Sequence, residues 1–402
     1  MNILHVIASV DPKDGGPIEG LNQQAKHRQT RNIPTDVISL DAPGDVTLDN
    51  PPFTYYPLGH DKISPQSRVR SWNPLWRYRY APAMVPWLKK NARRYDVIIV
   101  NGLWNYTAMA ARLALVGGKV PYVVFTHGML DPWFRKAYPL KGILKQLFWW
   151  FCEGPLLNNA SAVFYTTEEE KTLAETSFKP YRANGVVVGY GTSDVPAPST
   201  EQINAFRAFL PKLGERPYLL FISRIHPKKG CDLLIEAFAK IAPKAPNLDL
   251  VIAGPDQTGW MNDLIQQAKA LGISDRIHWP GMLKGDLKWG AFHGAEAFVL
   301  PSHQENFGIV VAEAMAARKP VLITDKVNIW KEVLSAKAGH VETDTIEGIT
   351  DLLEHYLAMT EHEKTAVGNN GRRAFLEKFE INVALDSINK ALDKVISNDR
   401  TS

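Results

Sequence analysis

Two carboxylates, Glu305 and Glu313, stand eight residues apart in Glu305-Asn306-Phe307-Gly308-Ile309-Val310-Val311-Ala312-Glu313. A strand-like run, Ala297–Leu300, and a Pro301-Ser302 turn precede them, and an apolar, alanine-rich helix begins among them. The spacing places Glu305 in the loop and Glu313 about two turns inside the helix. The first turn of such a helix has free backbone N–H groups that suit an anion. A loop carboxylate can accept hydrogen bonds from sugar hydroxyls, and a helical one from ribose hydroxyls. The layout suits a phosphorylated, polyhydroxylated ligand.

A second stretch carries the complementary charge. In Phe221-Ile222-Ser223-Arg224-Ile225-His226-Pro227-Lys228-Lys229-Gly230 an apolar strand, 217–222, runs into Arg224, and Lys229-Gly230 opens a helix at Cys231 or Asp232. Arginine offers a fixed fork of donors and lysine a mobile point charge, so the two can neutralise one diphosphate. A third stretch, Pro121-Tyr122-Val123-Val124-Phe125-Thr126-His127-Gly128, is a buried-type strand ending at His127. Ligands of open α/β sheets bind beyond the carboxyl ends of strands. Gly15-Gly16-Pro17 follows the first strand, and a glycine pair there lets the backbone approach a phosphate or an acceptor.

Taken together, the E-x7-E stretch, the R-x4-K-G stretch, the strand-end histidine and the early glycine pair resemble the retaining GT-B glycosyltransferases of glycosyltransferase family 4. The resemblance implies that Arg224 and Lys229 hold the donor's phosphates, that Glu305 orients the sugar and Glu313 the ribose, and that His127 contacts the transferred sugar. With Gly16, the backbone from Asn306 through Phe307 and Gly308 to Ile309 completes the phosphate contacts. The base is expected near Gly254 and around Gly281-Met282-Leu283. The donor is a GDP- or UDP-linked sugar, the acceptor a hydroxyl of a glycan or lipid-linked glycan. The family usually needs no metal or other cofactor, and the chain contains no D-x-D pair. It departs from many members at Gly189-Tyr190-Gly191, where they carry Asn-Gly.

The elements that would position these residues alternate along the chain. Strand-like runs at 2–10, 35–40, 53–58, 96–100, 122–126, 162–166 and 186–190 are separated by helical stretches such as 75–94, 106–116 and 141–157. The second half reads 218–223, 248–253, 277–279, 297–300 and 321–324, again with helices between. This pattern predicts α/β architecture with parallel sheets covered on both faces. The length, 402 residues, predicts two domains. The expected division is an acceptor-binding domain over 1–190, a Pro-rich linker over 191–216, a nucleotide-sugar-binding domain over 217–375 and a C-terminal segment over 376–402. Resemblance to the GT-B fold implies two facing Rossmann-like domains, with the last helix, 382–396, crossing back to the first.

Composition excludes several classes. The chain has two cysteines and a net charge of +4. Two cysteines give neither a disulfide framework nor metal-ligand spacing. The start of the chain reads as a strand rather than a signal peptide, and a cytoplasmic location is expected. A phosphoryl-transfer ATPase would need G-x4-G-K-[ST], which is absent. A dinucleotide oxidoreductase would share the alternation, with Asp41 at a plausible distance, but residues 14–20 do not fit G-x-G-x-x-G. A sugar-phosphate transferase, a glycan synthase or a non-catalytic sugar-binding protein stays open.

Charge is concentrated in one region. Arg68, Arg70, Arg77, Arg79, Lys89, Lys90, Arg93 and Arg94 fall between 68 and 95 without an acidic residue, among Trp72, Trp76, Tyr78, Tyr80 and Trp87. A second cluster runs from Arg135, Lys141 and Lys145 to Phe148-Trp149-Trp150-Phe151. Basic charge beside tryptophan suits an anionic membrane surface. Ordinary amphipathic helices with aromatics turned to a core are the alternative. No nucleic-acid-binding motif is present.

Overall fold

The computed structural model describes residues 1–14, 16–60, 78–133, 135 and 139–401. They form two compact units, 1–189 with 384–402, and 190–383.

The first unit contains β1 (Ile3–Ile7), α1 (Gly16–Gln29), β2 (Thr35–Ser39), β3 (Thr54–Pro57), α2 (Met84–Asn91), β4 (Val97–Asn101), α3 (Tyr106–Leu115), β5 (Tyr122–Phe125), α4 (Pro139–Phe148), α5 (Gly154–Asn158), β6 (Ala162–Tyr165), α6 (Glu168–Ser177) and β7 (Gly185–Val187). A π-turn, Trp149–Glu153, joins α4 to α5. The sheet order is β3-β2-β1-β4-β5-β6-β7, with every pairing parallel. Leu4 and Val6 join a core with Leu88, Ala108 and Leu156, while Ile7 packs with Ile18 and Leu21 of α1. Alternate residues of one strand thus serve opposite faces. Both faces are covered, which is why these strands are nearly continuous runs of Val, Ile and Leu.

The second unit contains α7 (Thr200–Phe209), β8 (Tyr218–Ile222), α8 (Cys231–Ile241), β9 (Asp249–Ala253), α9 (Met261–Ala270), β10 (Ile277–Gly281), α10 (Gly285–Gly294), β11 (Ala297–Leu300), α11 (Ile309–Ala316), β12 (Val321–Thr324), α12 (Trp330–Ser335), β13 (Gly339–Glu342), α13 (Ile346–Ala358) and α14 (Glu361–Ala374). Its sheet runs β10-β9-β8-β11-β12-β13, again all parallel. The last helix, α15 (Ile381–Thr401), begins in the second unit and joins the first from Ala384 onward. There Asn389 accepts a hydrogen bond from Arg28 of α1.

Three features differ from the sequence reading. Residues 191–216 contain a helix, α7, which packs on α10 inside the second unit. Strand β13 was not anticipated, because Gly339-His340-Val341-Glu342 is a short edge strand with one β-branched residue. Glu313 is the fifth residue of α11, one turn inside rather than two. Gly308, at φ 73°, is the N-cap, so the helix starts at Ile309.

Candidate functional site

In each sheet the strand order reverses at one point, between β1 and β4 in the first unit and between β8 and β11 in the second. The crevice beyond the carboxyl ends at such a point is where open α/β sheets bind ligands. In the second unit the two loops at this point are those carrying Lys229 and Glu305.

Backbone contacts hold those loops together. His303 N–H donates to Lys228 C=O at 2.8 Å. Gly230 adopts φ 64°, and a Cβ there would lie 2.1 Å from the Pro301 carbonyl oxygen, so only glycine permits this approach. His226 caps the turn before it by accepting from Lys228 N–H at 3.1 Å. Glu305 is fixed by its own backbone, its N–H donating to Lys326 C=O at 2.9 Å and its C=O accepting from Asn328 N–H at 3.0 Å. The result is an ion pair between Lys229 Nζ and Glu305 Oε2, with the lysine side chain 6% exposed. Arg224 is exposed on the same loop as Lys229. The spacing of residues in the sequence placed these groups; it did not reveal that the cation and carboxylate bond each other.

The short helix α11 begins directly beyond this pair. Asn306 N–H points to Glu305 Oε1 at 3.2 Å, and Gly308 has no side chain to cap the N–H groups that follow. Phe307 is buried, its ring edge-on to Tyr190 at 5.2 Å and to Phe379 at 5.6 Å. Tyr190, the residue at which the chain departs from the common Asn-Gly, therefore braces the glutamate loop.

Glu313 is buried and pairs with Lys288 of α10 at 2.6 Å. Burial raises its pKa, against the opposing pull of Lys288. Its Oε2 has no hydrogen-bond partner. Lys288 was missed from sequence, since a lysine in Gly285-Asp286-Leu287-Lys288 carries no local signal. Gly254 lies at the end of β9 with φ 147°, and a Cβ there would sit 1.7 Å from the Ser223 carbonyl oxygen. Met282 is exposed and Leu283 buried beyond β10.

In the first unit His127 lies two residues past β5 with φ 49°. Its Nε2 is 3.2 Å from Asn101 Oδ1, and burial lowers its pKa to about 4. The loop around it is pinned by Glu170, a buried carboxylate not recognised in the sequence. Glu170 accepts from Thr126 Oγ1 at 2.8 Å, Gly128 N–H at 2.7 Å, and both Thr166 N–H and Oγ1 at 2.7 Å. Gly16 is the first residue of α1 and exposed; Gly15 lies outside the described residues. So do Arg68, Arg70, Arg77, Trp72 and Trp76. Among the other charged candidates, Arg79 is bound at 2.8 Å to the buried Asp41. Asp41 also accepts from Val10 N–H at 2.8 Å and Ser39 Oγ at 2.8 Å. Those internal partners occupy the carboxylate an oxidoreductase would need for a ribose. Among the described residues no group of three His, Cys, Asp or Glu side chains could hold a metal ion.

Similarity to known proteins covers both units. The family model "Glycosyl transferase 4-like domain" matches residues 15–191, and the model "Glycosyl transferases group 1" matches residues 202–374. An uncharacterised glycosyltransferase from Methanocaldococcus jannaschii is 31% identical over 170 residues, 42% of this chain and 40% of that protein. A D-inositol 3-phosphate glycosyltransferase from Actinosynnema mirum is 30% identical over 142 residues, 34% of this chain and 31% of that one. The chain thus matches well under half the length of these curated relatives. The crystal structure of Anabaena HepE in complex with UDP and glucose superposes with a TM-score of 0.75 at 19% identity, covering 98% of this chain and 100% of that one. Two parallel sheets of this strand order and a family model on each unit lead to one assignment: the chain belongs to the group 1 glycosyltransferases of the GT-B fold.

Proposed function

We propose that the protein transfers a hexose from a nucleotide-diphosphate sugar to a hydroxyl of a glycan or lipid-linked acceptor, with retention of anomeric configuration. The observation that carries this reading is the joining of the Lys229 and Glu305 loops at the switch point of the second sheet, beside the start of α11. The bond from the anomeric carbon to the diphosphate oxygen breaks. A bond from that carbon to the acceptor oxygen forms on the same face, and the acceptor proton passes to the departing diphosphate. Negative charge grows on that diphosphate, so donors aimed at it lower the barrier. Arg224, Lys229 and the N–H groups of Phe307 to Ile309 supply them. Glu305 orients the sugar hydroxyls, Glu313 the ribose, and His127 the transferred sugar. Gly254, Met282 and Leu283 lie by the base.

The reaction in this reading needs no metal. The two cationic side chains assigned to the diphosphate, Arg224 and Lys229, supply the charge a divalent ion would otherwise contribute. The work is expected at the cytoplasmic face of an anionic membrane, in building a polysaccharide, lipopolysaccharide or glycolipid. The test is a turnover screen of UDP- and GDP-linked hexoses, read as release of nucleoside diphosphate. Release from one donor, unchanged by excess chelator, supports the reading. Release from none, or loss with chelator that Mg²⁺ or Mn²⁺ restores, overturns the transfer or its metal independence respectively.

A further inference from the structure

Helix α4 turns an apolar face to solvent. Leu140, Ile143, Leu144, Leu147, Phe148 and Phe151 are exposed by 79, 62, 62, 43, 45 and 69%. Their positions, i, i+3, i+4, i+7, i+8 and i+11, form one stripe along α4 into the π-turn. The opposite side of the same segment is buried: Gly142, Cys152 and Trp149, the last stacked on Phe178 at 5.3 Å. A segment apolar on both sides normally lies inside a core. Here one side is in the core and the other is not, and an exposed contiguous apolar patch marks an interaction site.

Charge around the stripe selects its occupant. From Pro132 to Cys152 there is no Asp or Glu. Lys141 is exposed on α4 itself, while Arg135 and Lys145 lie over the rings of Phe178 and Trp104. The π-turn and α2 both pack on α3, and all share one core on the first sheet. Helix α2 and the turn after it expose Lys89, Lys90, Arg93 and Arg94. A second copy of the chain, meeting this face about a two-fold axis, would set cation against cation. An anionic bilayer accepts both the charge and the apolar stripe. No helix among the described residues is long and apolar enough to cross a membrane. The length and the one-sided stripe of α4 fit a helix lying in the interface plane.

We infer that α4 and the π-turn are the membrane-docking element, inserting the 140–151 stripe into an anionic lipid surface while α2 meets the headgroups. This rests on the membrane-surface part of the reading above and is independent of the transfer chemistry. The experiment is co-sedimentation of the full chain with phosphatidylglycerol–phosphatidylcholine vesicles and with phosphatidylcholine alone. The unmodified protein should bind the mixed vesicles more tightly. A variant carrying Leu140→Ser, Ile143→Ser, Leu144→Ser and Leu147→Ser should lose more than about tenfold in affinity, since several large apolar side chains leave the lipid. Its donor hydrolysis in solution should be unchanged. Vesicle binding by the parent that the variant keeps would overturn α4 as the element and leave the membrane reading standing. No binding by the parent would overturn both. A fluorophore on Leu144→Cys should shift to the blue with mixed vesicles, and unchanged emission overturns the inference. So does a parent dimer that the serine variant disperses without any vesicle affinity, which would assign the stripe to a second copy.

Discussion

Lys229 and Glu305, residues from loops after different strands, form an ion pair in the second unit. The lysine proposed for the diphosphate is therefore held in place by the carboxylate proposed for the sugar. A ligand must displace or share this contact. Glu305→Gln leaves a buried ammonium without its counter-charge, at a cost of about 3 kcal/mol in stability. A nucleoside diphosphate restores that charge, so the variant should bind it more tightly than the parent while losing transfer. Calorimetric binding and thermal shift with UDP and GDP check this, and weaker binding would reassign Glu305 to the nucleotide. Lys229→Ala should remove about 2–4 kcal/mol of transition-state stabilisation. Near-normal turnover would sink the phosphate role.

Lys288 and Glu313 give the second test. The carboxylate is buried, which raises its pKa, and Lys288 is the cation that opposes that shift. Lys288→Met removes the partner and should cost about 3 kcal/mol of stability at neutral pH. Because the unpaired carboxyl then takes a proton, the loss should shrink as pH falls. A loss that stays constant from about pH 8 to about pH 5 would show that the pair is not electrostatic in effect.

The two loops of the candidate site were legible as strand-to-helix connections because their signals are local. A strand, a glycine and a helix start within ten residues mark Lys229 and Glu305, and the parallel alternation marks both sheets. What was not legible depends on chain separated by many residues. Lys288 meets Glu313 from another helix, Glu170 reaches back to the His127 loop from the next βα unit, and Tyr190 braces Phe307. Apolar periodicity located α4, but period alone reports a face, not whether that face meets a core or solvent. The basic stretch before 78 lies outside the described residues, and of its later members Arg79 serves Asp41.

Glu153 supplies a pH prediction. Burial pushes its carboxyl up to about 7, partly offset by the N–H groups it accepts, including that of Trp104 at 3.2 Å. The unfolded chain releases this proton near the usual carboxylate value of about 4.3. The folded state therefore binds more protons between those values, and stability falls as pH rises through the window. Its contribution is intact below about 4.3 and lost above about 7. The slope approaches about 1.4 kcal/mol per pH unit, or about 4 kcal/mol in all. Glu153→Gln abolishes this component, so the variant should gain on the parent as pH rises. Urea titrations of both proteins at several pH values measure the difference. A constant gap across the window would refute the buried protonated carboxyl.

The last prediction concerns which nitrogen of His127 carries its proton. Arg28 is 1% exposed, with Nη1 2.8 Å from His5 Nε2. Arginine can only donate, so His5 Nε2 accepts. Burial holds His5 well below its ordinary pKa, so its ring is neutral. Asn101 lies between the two histidines, its amide ends 3.2 Å from His5 Nδ1 and 3.2 Å from His127 Nε2. Asn101 Nδ2 donates to the carbonyls of Val6 at 3.4 Å and Ile99 at 3.3 Å, so the amide keeps its NH2 toward His5 and its oxygen toward His127. His127 Nε2–H donates to that oxygen, which leaves Nδ1 as the acceptor it can offer a sugar hydroxyl. Nitrogen NMR of the protein near about pH 6.5 should show both imidazoles neutral, with the proton of His127 on Nε2. Asn101→Asp should raise the pKa of His127 from about 4, because a carboxylate favours the protonated ring. Asn101→Leu should free the ring and cost about 1 kcal/mol, the worth of one neutral hydrogen bond. A proton found on Nδ1 of His127 would break the chain of inference at Asn101, and a protonated His5 would break it at Arg28.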